Sequence, residues 1–118
     1  MTRIQESRDC GNSPKNKFVQ DAAIGLAIGA LDTDMVAESI IWHGVNAKLI
    51  EGTVALKAKL DEQISPSAIV VEHAISHGRV GAASGVITFG NDNQKRFCHI
   101  FEFTSAKGNL IAEIKSYS

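Results

Sequence analysis

Cysteine is scarce in this 118-residue chain: Cys10 and Cys98 are the only two. One falls in a polar N-terminal segment and the other in a strand pattern. This excludes a disulfide-stapled scaffold and fits free thiols in a reducing compartment. Charge of one sign is also lacking. Lys and Arg number 12 against 13 Asp and Glu, a net charge of −1, so no positive field gathers nucleic-acid phosphates or an anionic membrane. Long apolar runs are missing too. The greasiest stretch, residues 22–31, is far too short to span a bilayer, and residues 1–9 have no apolar h-region of a signal peptide. The expectation is a cytoplasmic protein with neither nucleic acid nor membrane as partner. No repeat or low-complexity tract interrupts the chain, and its length suits one domain.

Several catalytic motifs are absent as well. There is no His-Glu-x-x-His, and His73 and His77, if on one straight strand, lie about 13 Å apart, too far for one zinc ion. No serine sits in a Gly-x-Ser-x-Gly turn. Cys98 alternates onto the strand face opposite His99, so the two cannot pair as nucleophile and base. Gly78, Gly81 and Gly85 lie inside a strand pattern and mark bends or close packing rather than a phosphate loop. Neither a metal nor a cofactor is expected.

What is present centres on Lys95-Arg96-Phe97-Cys98-His99-Ile100-Phe101-Glu102-Phe103. With period 2, Phe97, His99, Phe101 and Phe103 share one face and Cys98, Ile100 and Glu102 the other. A face of three phenylalanines looks onto a core or a pocket. An imidazole among them costs free energy unless it is hydrogen-bonded or reached by water or ligand. A cavity is the natural hypothesis.

Around that strand the elements follow in order. Residues 1–12 are polar and read as an extended arm outside the core. Ser13-Pro14 is a helix start, and Phe18, Ala22, Leu26 and Gly29 recur at helical spacing along a mostly buried first helix. Gly25 and Gly29 suggest close packing against another backbone or space left for a cavity. Residues 35–39 can make a short second helix, and Ile40-Ile41-Trp42-His43 a short strand. Thr53 caps a third helix with Leu56, Leu60 and Ile64 as its buried stripe, ended by Pro66. After an irregular passage over residues 44–52, everything past Pro66 reads as strand: residues 67–76, 80–89, 95–105 and 110–118. Gly/Asn turns join them, including Lys107-Gly108-Asn109. Helices first and strands afterwards give an α+β fold with about three helices packed on one face of a strongly curved antiparallel sheet.

This order resembles the cone-shaped nuclear-transport-factor-2-like (cystatin-like) superfamily over residues 13–118. Within it the chain is most similar to the SnoaL-like group, which includes polyketide cyclases and relatives of ketosteroid isomerase. Ser13-Pro14 to Phe18-Val19, Ile40-Ile41-Trp42-His43 followed by Glu51-Gly52-Thr53, His77-Gly78-Arg79 and the Phe97-to-Phe103 strand carry the resemblance. It implies a general base at the end of the short strand, where His43 stands nine residues before Gly52. It also implies a second polar group on the third long strand, where His99 precedes Ile100-Phe101-Glu102-Phe103. Phe18 stands in the region where isomerase-like members place a tyrosine.

A pair of imidazoles could take a proton α to a carbonyl and hydrogen-bond the resulting enolate. His43 and His99 are therefore the catalytic candidates; Phe18, Leu26, Trp42, His73, Phe97, Phe101 and Ile114 are the candidate ligand contacts. His73 is either a third polar group in the cone or a satisfied histidine at the sheet rim, and Trp42 belongs either to the core or to an interface. The expected ligand is a small, mostly apolar or amphipathic organic molecule with a carbonyl or hydroxyl. The expected activity, if any, is a cofactor-free isomerase, lyase or cyclase step; a binding or assembly module with the same fold is the alternative. The Cys98-Ile100-Glu102 face, with Ile111 and Tyr117, predicts a homodimer by sheet-to-sheet packing.

Overall fold

A computed structural model describes residues 2–10, 13–44, 49–106 and 110–117. The expected turn at Lys107-Gly108-Asn109 lies outside these residues. One seven-stranded sheet carries the fold: β1 (Arg3–Gln5), β2 (Val36–His43), β3 (Leu49–Glu51), β4 (Ala68–His77), β5 (Val80–Thr88), β6 (Gln94–Phe103) and β7 (Ile111–Tyr117). Their spatial order is β1-β4-β5-β6-β7-β2-β3. Two helices, α1 (Pro14–Ile28) and α2 (Thr53–Asp61), accompany it.

The α+β class is as expected, with three corrections. First, the described residues form two α-helices, not three. The second expected helix is a single 3₁₀ turn over Thr33–Met35, where the Asp32 side chain accepts from the Asp34 amide at 2.9 Å. The chain becomes strand at Val36 because pairing with β7 satisfies its backbone and buries Val36 and Ile40. A one-turn helix nucleus has no comparable return. Second, the sheet is mixed. β4 to β7 form the antiparallel meander, but β2 joins β7 and β1 joins β4 in parallel. Third, α2 stops at Asp61 well before Pro66, so Ile64 leaves the expected buried stripe and stands 77% exposed.

The first helix begins where the sequence places it. Ser13 accepts from the Asn16 amide, Pro14 is the first helical residue, and Gly29 ends the helix at φ 73°. Both helix glycines mark close backbone approaches. A Cβ on Gly25 would sit 2.9 Å from Leu31 Cα, and one on Gly29 would sit 2.5 Å from the Leu60 carbonyl oxygen. Val19, Ala22, Ala23 and Leu26 of α1 pack with Leu56 and Leu60 of α2 against Ile69, Val71, Phe101, Phe103, Ile111 and Ile114 of the sheet.

The N-terminal segment is drawn onto this frame. β1 is an exposed edge strand, and Gln20, buried on α1, accepts from the Ser7 amide at 2.6 Å and donates to Glu6 at 3.0 Å. Asp9 accepts from the Ala74 amide and contacts His73 Nδ1, each at 3.1 Å. The amide bond and the neighbouring imidazole hold its carboxyl below the usual carboxylate range. No helix among the described residues is long and apolar enough to cross a membrane.

Candidate functional site

Strand parity decides which candidates meet. On β6, Phe97, His99, Phe101 and Phe103 are buried and alternate with partly exposed neighbours, as expected. Opposite them on β7, Ile114 pairs with Phe101 and Ser116 with His99. Parallel pairing sets Trp42 of β2 beside Ile114, which turns the indole inward and settles it as an interior residue.

Between this wall and the helices lies a cavity of about 340 Å³. Its floor is Trp42, Phe97, His99 and Ser116; Leu26 and Ala27 of α1 close one side; Ile87, Phe89 and Tyr117 contribute apolar surface. The segment after α2 brings Glu62, Gln63 and Ile64 to the opposite side, and Lys95 and Arg96 complete the lining. Gln63 fastens that segment by donating to the Leu26 carbonyl at 3.2 Å. Gly85 makes room in the wall. A Cβ there would fall 2.9 Å from the Phe97 ring and far inside contact distance of the Val70 carbonyl.

His99 is 8% exposed. Its ring stacks on Phe97 with centroids 5.4 Å apart and tilts against Phe101 at 6.1 Å. Its Nδ1 lies 2.7 Å from Ser116 Oγ, which also accepts from Trp42 Nε1–H at 2.8 Å. Burial lowers the imidazole pKa to about 4, so the ring is neutral at neutral pH. Its Nε2 has no partner among the described residues. No buried side-chain nitrogen or oxygen among them is unpaired, so Nε2 is reached from the cavity. A neutral imidazole opening into this cavity can hydrogen-bond a ligand without adding a charge of its own.

Leu26, Trp42, Phe97 and His99 therefore line one cavity, as the sequence suggests. The other candidates do not. His43 follows Trp42 and so faces the outer side of the sheet, where its Nε2 lies 2.5 Å from Glu113 Oε2. The expected His43–His99 pair is thus split across the sheet and cannot act on one substrate. His73 is displaced by a bulge between Val71 and His73. One extra residue reverses the alternation, so Ala74 turns inward and the His73 side chain is 71% exposed beside Asp9. Phe101 and Ile114 are fully buried in the core, and Phe18 packs on Phe103 at 5.9 Å away from the cavity. Ser116 was missed. Its only sequence signal is period 2 from Ile114; its role depends on a β6–β7 register that spacing alone does not give. Among the described residues no three His, Cys, Asp or Glu side chains group as metal ligands.

No protein-family model and no curated protein sequence matches the chain. Solved structures do. One is a nuclear-transport-factor-2-like protein of unknown function from Mesorhizobium loti, 11% identical with TM-score 0.69, covering 95% of this chain and 97% of the other. A candidate ketosteroid isomerase from Kribbella flavida is 13% identical with TM-score 0.69, covering 87% of this chain and 76% of its own. An uncharacterised cystatin-fold protein from Novosphingobium aromaticivorans is 11% identical with TM-score 0.64, covering 88% and 98%. At these identities the likeness is one of architecture, and the chain has the nuclear-transport-factor-2-like, cystatin-type fold.

Proposed function

We propose that this chain is a small-molecule pocket protein, of SnoaL-like type within its fold, whose cavity takes a small, mostly apolar organic molecule through a hydrogen bond to His99. The observation that carries this is His99 Nε2, which has no partner among the described residues and opens to a cavity whose apolar wall includes Leu26, Trp42 and Phe97. A volume of 340 Å³ lies at the small end of ligand sites, about 300–1,000 Å³. Both cysteines are free, which fits a reducing, cytoplasmic setting.

A cofactor-free isomerase or cyclase is the second reading, favoured by one observation: Glu62 lines the same cavity as His99. A carboxylate there would take an α-proton while His99 polarises the carbonyl. The candidate isomerase from Kribbella flavida fits this reading at the level of fold alone.

Trp42 is the only tryptophan, so a single indole signal reports on the cavity. Titration with the two-ring ketone 2-acetylnaphthalene is expected to shift that signal saturably. Ala27→Phe, which fills the cavity from α1, is expected to abolish the shift. A wild-type signal that does not move, or one that moves equally in the variant, contradicts the pocket. Deuterium uptake at the ketone's methyl group in the same sample separates the readings. Catalysed exchange supports the enzyme, and binding without exchange supports the module.

We further propose that a second copy covers the outer sheet face. Ile75 and Val80 are exposed there and Ile100 is half-buried, and Tyr117 stands where this face meets the cavity rim; Ile111, expected on this face, is instead buried in the core. The carboxylates among them already have partners, Glu113 in hydrogen-bond contact with His43 and Glu102 paired with Lys115 at 3.2 Å, which lowers the cost of covering the face.

A further inference from the structure

We infer that Trp42 and Ser116 lock His99 in the tautomer protonated at Nε2. The cavity then offers a fixed hydrogen-bond donor and selects ligands bearing an acceptor oxygen, such as a ketone carbonyl, over hydrocarbons of the same shape. This rests on the cavity being a ligand site.

Three side chains share a fixed set of protons. An indole nitrogen only donates, so Trp42 Nε1–H occupies one lone pair of Ser116 Oγ at 2.8 Å. Ser116 has one hydroxyl proton to place. Apart from the indole, its oxygen meets only His99 Nδ1, at 2.7 Å, among the described side chains. Were Nδ1 protonated, it would donate to Ser116 and the hydroxyl proton would be left without an acceptor in a buried setting, a costly arrangement. With Nδ1 bare, it accepts that proton and all three groups are satisfied. The imidazole proton then sits on Nε2, the nitrogen that opens to the cavity. Burial keeps the ring neutral, so no second proton arrives at neutral pH.

A neutral ring held this way turns no lone pair toward the cavity. His99 is therefore a donor to a ligand and not its general base, the reverse of what an unlocked histidine could offer. Ser116 is a positioning residue acting through His99. Trp42 both positions Ser116 and forms part of the wall.

A long-range ¹H–¹⁵N spectrum of the ¹⁵N-histidine-labelled protein reads the tautomer directly. The expected result is His99 protonated at Nε2, unchanged from pH 8 to pH 5.5. Ser116→Ala is expected to give exchange-averaged nitrogen shifts with both tautomers populated; Trp42→Phe, which frees a lone pair on Ser116, is a second route to the same loss. Binding of 2-acetylnaphthalene is then compared with that of 2-ethylnaphthalene. Wild type is expected to favour the ketone about tenfold, the scale of one buried hydrogen bond. His99→Phe is expected to bind both alike. An Nδ1–H signal in wild type overturns the lock and leaves the pocket reading standing. Equal affinities in wild type with Nε2 protonated overturn the selection. Binding of neither probe overturns the pocket itself, and the proposal with it.

Discussion

At neutral pH His99 carries no charge because the ring lies between Phe97 and Phe101 with almost no water around it. Its pKa falls from 6.5 to about 4 on folding. The sign follows. Between those values the unfolded chain binds the proton and the folded chain does not, so acid favours unfolding. The full contribution is present above pH 6.5 and is lost as the pH falls toward 4, amounting to about 3 kcal/mol by pH 4. Urea unfolding at pH 7 and pH 4.5 is expected to show a smaller acid loss in His99→Phe than in wild type. Equal losses would place the imidazole in water. His99 was legible from sequence because its strand is regular and its neighbours are phenylalanines. His43 was misassigned for the opposite reason. Parity puts it beside Trp42 but on the far face, and only the parallel pairing with β7 fixes which of the two turns inward. His73 was lost to a single bulge, which no residue type at positions 71–73 announces.

The meander was legible as elements because each strand of β4 to β7 carries its own alternation and its own turn residues. Only the second half of β2, Ile40 to His43, was legible, since residues 35–39 look helical until β7 is beside them. Close packing at glycine was also foreseeable, and here the structure sharpens it. Gly85 lies in β5 between the Val70 carbonyl of β4 and the Phe97 ring. Gly85→Ala has to displace backbone, and is expected to cost about 3 kcal/mol or more. Gly29→Ala meets the Leu60 carbonyl at a positive φ and is expected to cost about 1–3 kcal/mol. Thermal unfolding of the two variants checks both values. A Gly85→Ala protein as stable as wild type would mean that β4 and β5 are not packed as described.

For the whole molecule, the two sheet faces have separate proposed uses. The inner face and helices hold the cavity, and the outer face is offered to a second copy. Ile100→Lys introduces a cation at the centre of that outer face. Sedimentation is expected to show a dimer in wild type and a monomer in the variant, with Trp42 still responding to the ketone. A monomeric wild type contradicts the dimer and leaves the cavity untouched, because none of the residues that carry the site needs the outer face. The composition did not make the ligand legible, because the residues that line the cavity come together only in the fold.

Most direct for the central claim is where a bound ketone sits. Intermolecular nuclear Overhauser contacts from the ring protons of 2-acetylnaphthalene are predicted to reach His99, Trp42 and Phe97 together. Contacts confined to outer-face residues such as Ile75 and Ile100, with none to His99, would contradict it.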